Sequence, residues 1–167
     1  EDFPNDVSEL LYYFSNESKG SRVRAIPGEG LQVPIYLLGS STFSAQLAAD
    51  YGLPYAFASH FAPAQLHNAL EIYHRGFQPK YNLEKPYAMA CINVIAADTD
   101  EEAEQLATSF YIMALGIITG VRMPLQPAVK SMKGIWNEGQ EMAIKTMMKY
   151  TFIGSPQTIA PQLEAFA

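Results

Sequence analysis

The sequence predicts a parallel α/β fold. Short apolar runs of strand length alternate with segments whose apolar residues recur every three or four positions, and Gly, Ser and Pro punctuate the breaks. Runs that are apolar throughout, rather than alternating, mark parallel strands covered on both faces. About four such strands are expected, near Val33, Tyr55, Tyr87 and Thr151, each followed by helix or by loop and helix. The pattern fits either an open doubly wound sheet or part of a (β/α)8 barrel. A full barrel takes about 250 residues, and this chain has 167.

The elements follow in order. After a Pro4-Asn5 start signal, residues 6–14 place Val7, Leu10, Leu11 and Phe14 on one helical face. Residues 15–30 are rich in Ser, Asn, Lys, Gly, Arg and Pro and read as a crossing loop; Asn16-Glu17-Ser18 within it is a formal glycosylation sequon with no secretory signal to accompany it. Residues 33–38 are the first buried strand, with Pro34 tolerated near its beginning. Gly39-Ser40-Ser41 breaks that strand, and from Thr42 a helix turns Leu47, Ala48 and Tyr51 inward and stops at Gly52. Residues 54–58 are the second strand. A strand–helix–strand unit of this kind runs parallel and right-handed.

Pro63 suits the first turn of a helix that reaches Arg75, with Leu66, Ala69, Leu70 and Tyr73 inward, and Gly76 ends it. Residues 87–96 are the longest strand, and Asn93 is its one polar intruder. Thr99 with Glu102 reads as a capping box opening a long helix that carries Ala103, Leu106, Ala107, Phe110 and Met113 toward the core. Periodicity lapses over residues 116–139, an ordered excursion or lid. Residues 141–150 are helical and residues 150–153 a short strand; Ser155-Pro156 then starts a last helix in which Pro161 sits awkwardly. No repeat, low-complexity tract or linker divides the chain, so residues 1–167 are expected to form a single domain. The chain begins Glu1-Asp2-Phe3-Pro4 and stops at Ala167 inside a helical pattern, which is read as a piece of a larger protein.

Composition excludes several functions. Apolar residues are 49% and charged residues 17% of the chain, against a disordered tail. No apolar run approaches the roughly 18 residues of a membrane span. Lys and Arg number 11 against 17 Asp and Glu, a net charge of −6, and no basic cluster could track a nucleic-acid backbone. The single Cys91 permits neither an internal disulfide nor a Cys-based zinc site and fits a reducing cytoplasm. His60, His67 and His74 recur every seven residues, a helical step of about 10.5 Å, too long for two of them to share one metal. No metal is expected. Asp98, Asp100, Glu101, Glu102 and Glu104 read as solvated charges complementing a helix dipole, and Met142, Met147 and Met148 as flexible packing.

One turn carries chemistry. Residues 39–44, Gly-Ser-Ser-Thr-Phe-Ser, leave the carboxyl end of a strand and open a helix, so unpaired amides and hydroxyls converge there as they do in anion sites. Ser at such a place also serves as a plain helix cap. Ser155 before Pro156 offers a second terminus of the same kind.

The run from Val33 through Leu38 into Gly39-Ser40-Ser41, with Ala45-Gln46-Leu47-Ala48-Ala49, Tyr51-Gly52-Leu53-Pro54 and Phe57-Ala58-Ser59-His60-Phe61, resembles the luciferase-like flavin monooxygenase family, the relatives of bacterial luciferase. Ile92-Asn93-Val94-Ile95-Ala96-Ala97-Asp98-Thr99 and Phe152-Ile153-Gly154-Ser155-Pro156 resemble its later strands. The resemblance spans nearly the whole chain but only the family's second half. It implies a partial (β/α)8 TIM barrel whose N-terminal half is absent, with reduced FMN, or alternatively the deazaflavin F420, at the strand carboxyl ends. It implies oxidation of a small organic substrate with O2, while charge, hydropathy and the single cysteine give the expectation of a cytoplasmic protein with no nucleic-acid or membrane partner. The family's phosphate-binding turn falls on Gly39, Ser40, Ser41 and Ser44, with Ser40 where bacterial luciferase has an acidic residue; Ser59 and His60 would face the flavin ring or the substrate.

His60 is the catalytic candidate, because imidazole serves as acid or base near neutral pH. Its other reading is a hydrogen bond to a neighbouring helix or a place in the pocket wall. The expected function is the C-terminal part of a flavin-dependent monooxygenase, inactive alone; the alternative is a noncatalytic flavin-binding or partner-stabilising shortened barrel. A half-barrel leaves sheet edges and strand faces uncovered, so a homodimer or association with the missing half is expected.

Overall fold

The computed structural model describes residues 2–81 and 83–167. Its elements are α1 (Phe3–Phe14), β1 (Leu37–Gly39), α2 (Thr42–Tyr51), β2 (Tyr55–Phe57), α3 (Leu66–Gly76), β3 (Ala88–Ala90), β4 (Asn93–Ala96), α4 (Asp100–Thr119), α5 (Glu138–Met147), β5 (Thr151–Gly154) and α6 (Pro156–Phe166), with 3-10 turns at Asn16–Ser18 and Pro63–Gln65. They fall into two compact units: residues up to Phe57 with His67–Met89, and Ala58–Leu66 with Ala90–Ala167. Parallel strands alternate with helices, the α/β class that the apolar runs predict.

The first unit is built on the sheet β1-β2-β3, in which Leu37 pairs with Tyr55 and Gly39 with Phe57. Ala45, Ala48 and Ala49 bury the inner side of α2 completely, and small side chains there let helix and sheet approach closely. Tyr73 of α3 is fully buried. Its hydroxyl donates to Leu53 O at 2.9 Å and accepts from Tyr87 N at 3.1 Å, and its ring lies 5.3 Å from that of Tyr55. A phenol placed this way adds apolar area and also satisfies backbone groups where strands enter the sheet. Tyr51 joins α1 to α2, donating to Pro4 O at 2.9 Å and sharing a hydrogen bond with Ser8 at 2.8 Å.

The expected first strand shrinks. Only Leu37–Gly39 pair; Pro34 has no N–H to give a ladder, and Val33 and Tyr36 remain exposed. Leu38 is 64% exposed beside a Leu37 that is 5% exposed, so one face of β1 is uncovered in this chain. The expected strand at 87–96 divides at Cys91–Ile92 into β3 and β4, which join different sheets, giving five strands in place of four. At the break, Cys91 O accepts from Ser59 Oγ at 2.6 Å, a side-chain bond in place of a ladder bond.

In the second unit β4 and β5 pair in parallel, Asn93 with Thr151 through Ala96 with Gly154. Ala114, Ile144 and Met148 form its buried cluster, with Phe110, Trp136 and Ile153 packed against it. Thr99 caps α4 by accepting from Glu102 N at 3.2 Å, while the reciprocal two-bond capping box stands at α5, where Asn137 and Gln140 exchange bonds of 2.9 Å. The stretch after α4 is ordered along that helix: Ser109 Oγ donates to Gln126 O, and Thr108 Oγ1 takes Val129 N at 2.8 Å. The last helix runs unbroken through Pro161. No helix is long and apolar enough to cross a membrane, among the described residues.

Candidate functional site

The turn from β1 into α2 is open. Ser41 is the N-cap, in extended conformation, and its side chain makes no capping bond; the first amides of a helix have no intrahelical acceptor, so those of Thr42, Phe43 and Ser44 point outward from an uncapped end. No acidic residue lies in the first turn of α2. Ser41 is exposed and Ser40 half-buried.

Beneath the turn the packing is tight. Ser44 is buried and its Oγ lies 2.8 Å from Ser41 O and 3.1 Å from Tyr55 OH, which is itself 3.2 Å from Ser41 O. Two hydroxyl protons thus serve three oxygen contacts, two of them on the Ser41 carbonyl. Burial pushes the Tyr55 phenol above its ordinary pKa, against a smaller opposing effect of the Ser44 bond, so it stays a neutral donor. Gly39 closes the arrangement: a Cβ there would collide with Ser44 Oγ and Cβ. The sequence groups Gly39, Ser40, Ser41 and Ser44 together, and the structure separates their tasks. Ser44 and Gly39 shape the turn from below, while Ser40, Ser41 and the first amides of α2 lie on its open side. This donor set, with a positive helix end and no acidic residue in its first turn, is of the kind that fits a phosphate.

The second terminus is occupied. Ser155 N donates to Asp100 Oδ1 at 2.6 Å, and Thr158 Oγ1 donates to Asp100 Oδ2 at 2.8 Å, so a carboxylate from the first turn of α4 sits where an anion would bind at α6. The Ser155 amide and the hydroxyls of Ser155 and Thr158 lower the pKa of Asp100. The sequence groups Asp100 with the solvated acidic start of α4, and nothing local to it signals a partner 55 residues away.

Ser59 and His60 lie in the second unit, in the turn after β2. Ser59 is fully buried with its hydroxyl given to Cys91 O. His60 stacks edge-on against Phe61, ring centroids 4.7 Å apart, and its Nδ1 is buried without a hydrogen-bond partner. An imidazole nitrogen can donate or accept a hydrogen bond according to its tautomer. Asn93 donates to the His60 carbonyl at 3.0 Å. The sequence marks Asn93 only as out of place in its strand.

Elsewhere in the second unit Tyr111 rests against Trp136, centroids 5.3 Å apart, and donates to Glu104 at 3.2 Å. Burial, aided by the Glu104 charge and hydrogen bond, raises its phenol to about 12, which keeps it a structural donor. No group of three or more His, Cys, Asp or Glu is placed to hold a metal ion, among the described residues.

Comparison with known proteins agrees with the residues. The model of a family described as luciferase-like monooxygenase matches residues 11–167. The chain is 46% identical over 167 residues to YvbT, an uncharacterized protein of Bacillus subtilis, covering 99% of this chain and 50% of that one. It is 41% identical over 165 residues to a luciferase-like monooxygenase of Escherichia coli, covering 99% of this chain and 49% of that one. Among solved structures, apo-MsnO8 superposes with a TM-score of 0.76 at 25% identity, over 99% of this chain and 50% of that chain. The chain therefore spans about half the length of the curated relatives it matches.

Proposed function

We propose that this chain, which belongs to the luciferase-like monooxygenase family, is the C-terminal part of a flavin-dependent monooxygenase and provides the cofactor's phosphate anchor. The observation that carries the reading is the uncapped, acid-free start of α2 with Ser40 and Ser41 free above a turn braced by Ser44 and Tyr55. FMN is the cofactor assigned, with F420 as the alternative; the FMN side chain ends in a phosphate and that of F420 carries one within it, and such a turn binds phosphate. When bound, reduced flavin supplies the electrons for oxidation of a small organic substrate by O2. The residues of this chain orient and hold. Amides 42–44 and the Ser40 and Ser41 hydroxyls bind the anion, Gly39 leaves room for the Ser44 side chain beneath them, and Ser59 fixes the turn that carries His60. His60 is the residue assigned to hold or accept a proton, at Nδ1.

Residues 1–167 are taken as one domain, a fragment of a (β/α)8 barrel acting in the cytoplasm, and inactive by itself. The uncovered faces of β1 and β4, where Leu38 is 64% and Val94 47% exposed, support association with the N-terminal half or with a second copy. Size-exclusion chromatography with mass determination checks this: an assembly larger than 18.5 kDa is expected, and a clean monomer of that mass counts against it.

The deciding experiment is titration of the intact protein with FMN and with riboflavin, which differ only in the phosphate. Tighter FMN binding is expected, and equal affinity overturns the assignment of the turn. Phosphate-dependent binding with no substrate oxidation would favour a noncatalytic flavin-binding protein on the same scaffold.

A further inference from the structure

Asn93 interrupts an apolar strand. A polar side chain in such a place costs free energy unless its donors are met, and both protons of the Asn93 amide are met. Nδ2 donates to the carbonyl of His60 at 3.0 Å and to Oγ1 of Thr151 at 3.2 Å. Thr151 is the residue paired with Asn93 across β4 and β5, so the register of that pair sets the height of the amide. Two residues before Asn93, Cys91 O receives the Ser59 hydroxyl at 2.6 Å.

The backbone around His60 is thus pinned twice, through the side chain of the residue before it and through its own carbonyl. From this fixed stretch projects an imidazole whose Nδ1 is buried and unpartnered. Leaving a buried polar atom unmet is costly, and such an atom calls for an explanation, among them a catalytic role or a bound molecule that completes the bond.

We propose that Asn93 is a positioning residue for His60: its amide fixes the His60 carbonyl and so holds Nδ1 where a polar atom of the bound cofactor or substrate completes the hydrogen bond. Asn93 does not touch the ligand in this arrangement. The proposal rests on the reading of His60 as a site residue, and it adds the device that sets the geometry of that residue.

The test is the ring-nitrogen NMR spectrum of this chain labelled at its three histidines, compared with Asn93→Leu and Asn93→Asp. Aspartate keeps the shape of asparagine but has no N–H to donate. Both variants are expected to shift the His60 ring nitrogens by several parts per million, or to broaden them into multiple environments, with the signals of His67 and His74 and the far-UV circular dichroism unchanged. An unshifted His60 in both variants overturns the proposal. So does a shift in the leucine variant alone, which would assign the effect to side-chain volume. If neither variant folds, the unmutated protein decides: one sharp set of His60 ring-nitrogen signals together with Asn93 side-chain amide protons exchanging at least tenfold more slowly than those of an exposed asparagine supports the proposal, and several His60 ring environments or equal exchange overturns it. The flavin-phosphate titration reads a different turn, so a failure there leaves this result separately interpretable.

Discussion

At the end of β1 the chain reads Gly39-Ser40-Ser41 before α2, and at the end of β5 it reads Gly154-Ser155-Pro156 before α6. Both are apolar strands followed by Gly-Ser and a helix start, and both glycines are held close. A Cβ on Gly39 would strike Ser44, and one on Gly154, whose φ is +151°, would lie 2.9 Å from Asp100 Oδ1. Their electrostatic fates are opposite. At α6 the fold supplies its own anion, Asp100, and satisfies the Ser155 amide and the Thr158 hydroxyl with it. At α2 it supplies none, and the hydroxyls of Ser44 and Tyr55 turn instead toward the Ser41 carbonyl. A helix dipole favours negative charge at either end of this kind, so the terminus left without an internal carboxylate is the one that can bind an external one. Local sequence marks both turns as anion sites; only the location of Asp100 tells a terminus filled from within the fold from one left open.

Four substitutions test the contrast. The largest effect is expected from Gly39→Ala, where the new methyl must displace the turn or Ser44. Overpacking of this kind costs about 1–3 kcal/mol, measurable by urea unfolding, and the preference for FMN over riboflavin should vanish with it. Next is Ser41→Ala in the intact protein. Loss of a hydroxyl that meets a charged oxygen should weaken FMN roughly tenfold while leaving riboflavin unaffected; equal weakening of both would remove the phosphate role.

Tyr55→Phe removes one of the two protons beneath the turn and should cost about 1 kcal/mol of stability, with a smaller loss of FMN affinity than Ser41→Ala. A Tyr55→Phe protein as stable as the parent would mean that the three-oxygen brace contributes nothing. The smallest effect belongs to Asp100→Asn and is conditional on pH. The Ser155 amide holds the Asp100 pKa below its unfolded value, so the stability it contributes is present above the ordinary carboxylate pKa and is lost as pH falls through the depressed folded value. The thermal midpoints of parent and variant should therefore differ near neutral pH and converge on acidification below about pH 4. A gap independent of pH would show that the carboxylate charge is not what fills the α6 terminus.

Much of this fold is legible in the sequence because its signals are local. The helix over residues 42–51 announces both ends, Ser41 before it and Gly52 after it, and the structure places it at Thr42–Tyr51. The buried strand at Tyr55–Phe57 is apolar on every residue and is completely covered. Signals weaken where a residue answers to a distant partner. The run 87–96 looks like one strand because its apolar character is continuous, but Ser59, 32 residues away, takes the Cys91 carbonyl at the break. Asn137 and Gln140 carry the spacing of a capping box, yet the loss of periodicity before them hides the helix start, and the expected start at Glu141 falls three residues late.

The sequence by itself determined which stretches become strands and helices, the parallel order that follows from their alternation, and the family whose pattern they share. Each depends on neighbouring residues, whose spacing decides which backbone bonds form and which side chains share a face. The tertiary structure alone decided how the polar atoms are spent. Ser44 serves the turn and Ser41 is left free, Asp100 closes one helix end, and Asn93 holds the His60 carbonyl. The physical reason is range: a hydrogen bond joins atoms only within about 3 Å, and a residue spacing of 33 or 55 positions carries no record of which atoms folding will bring that close.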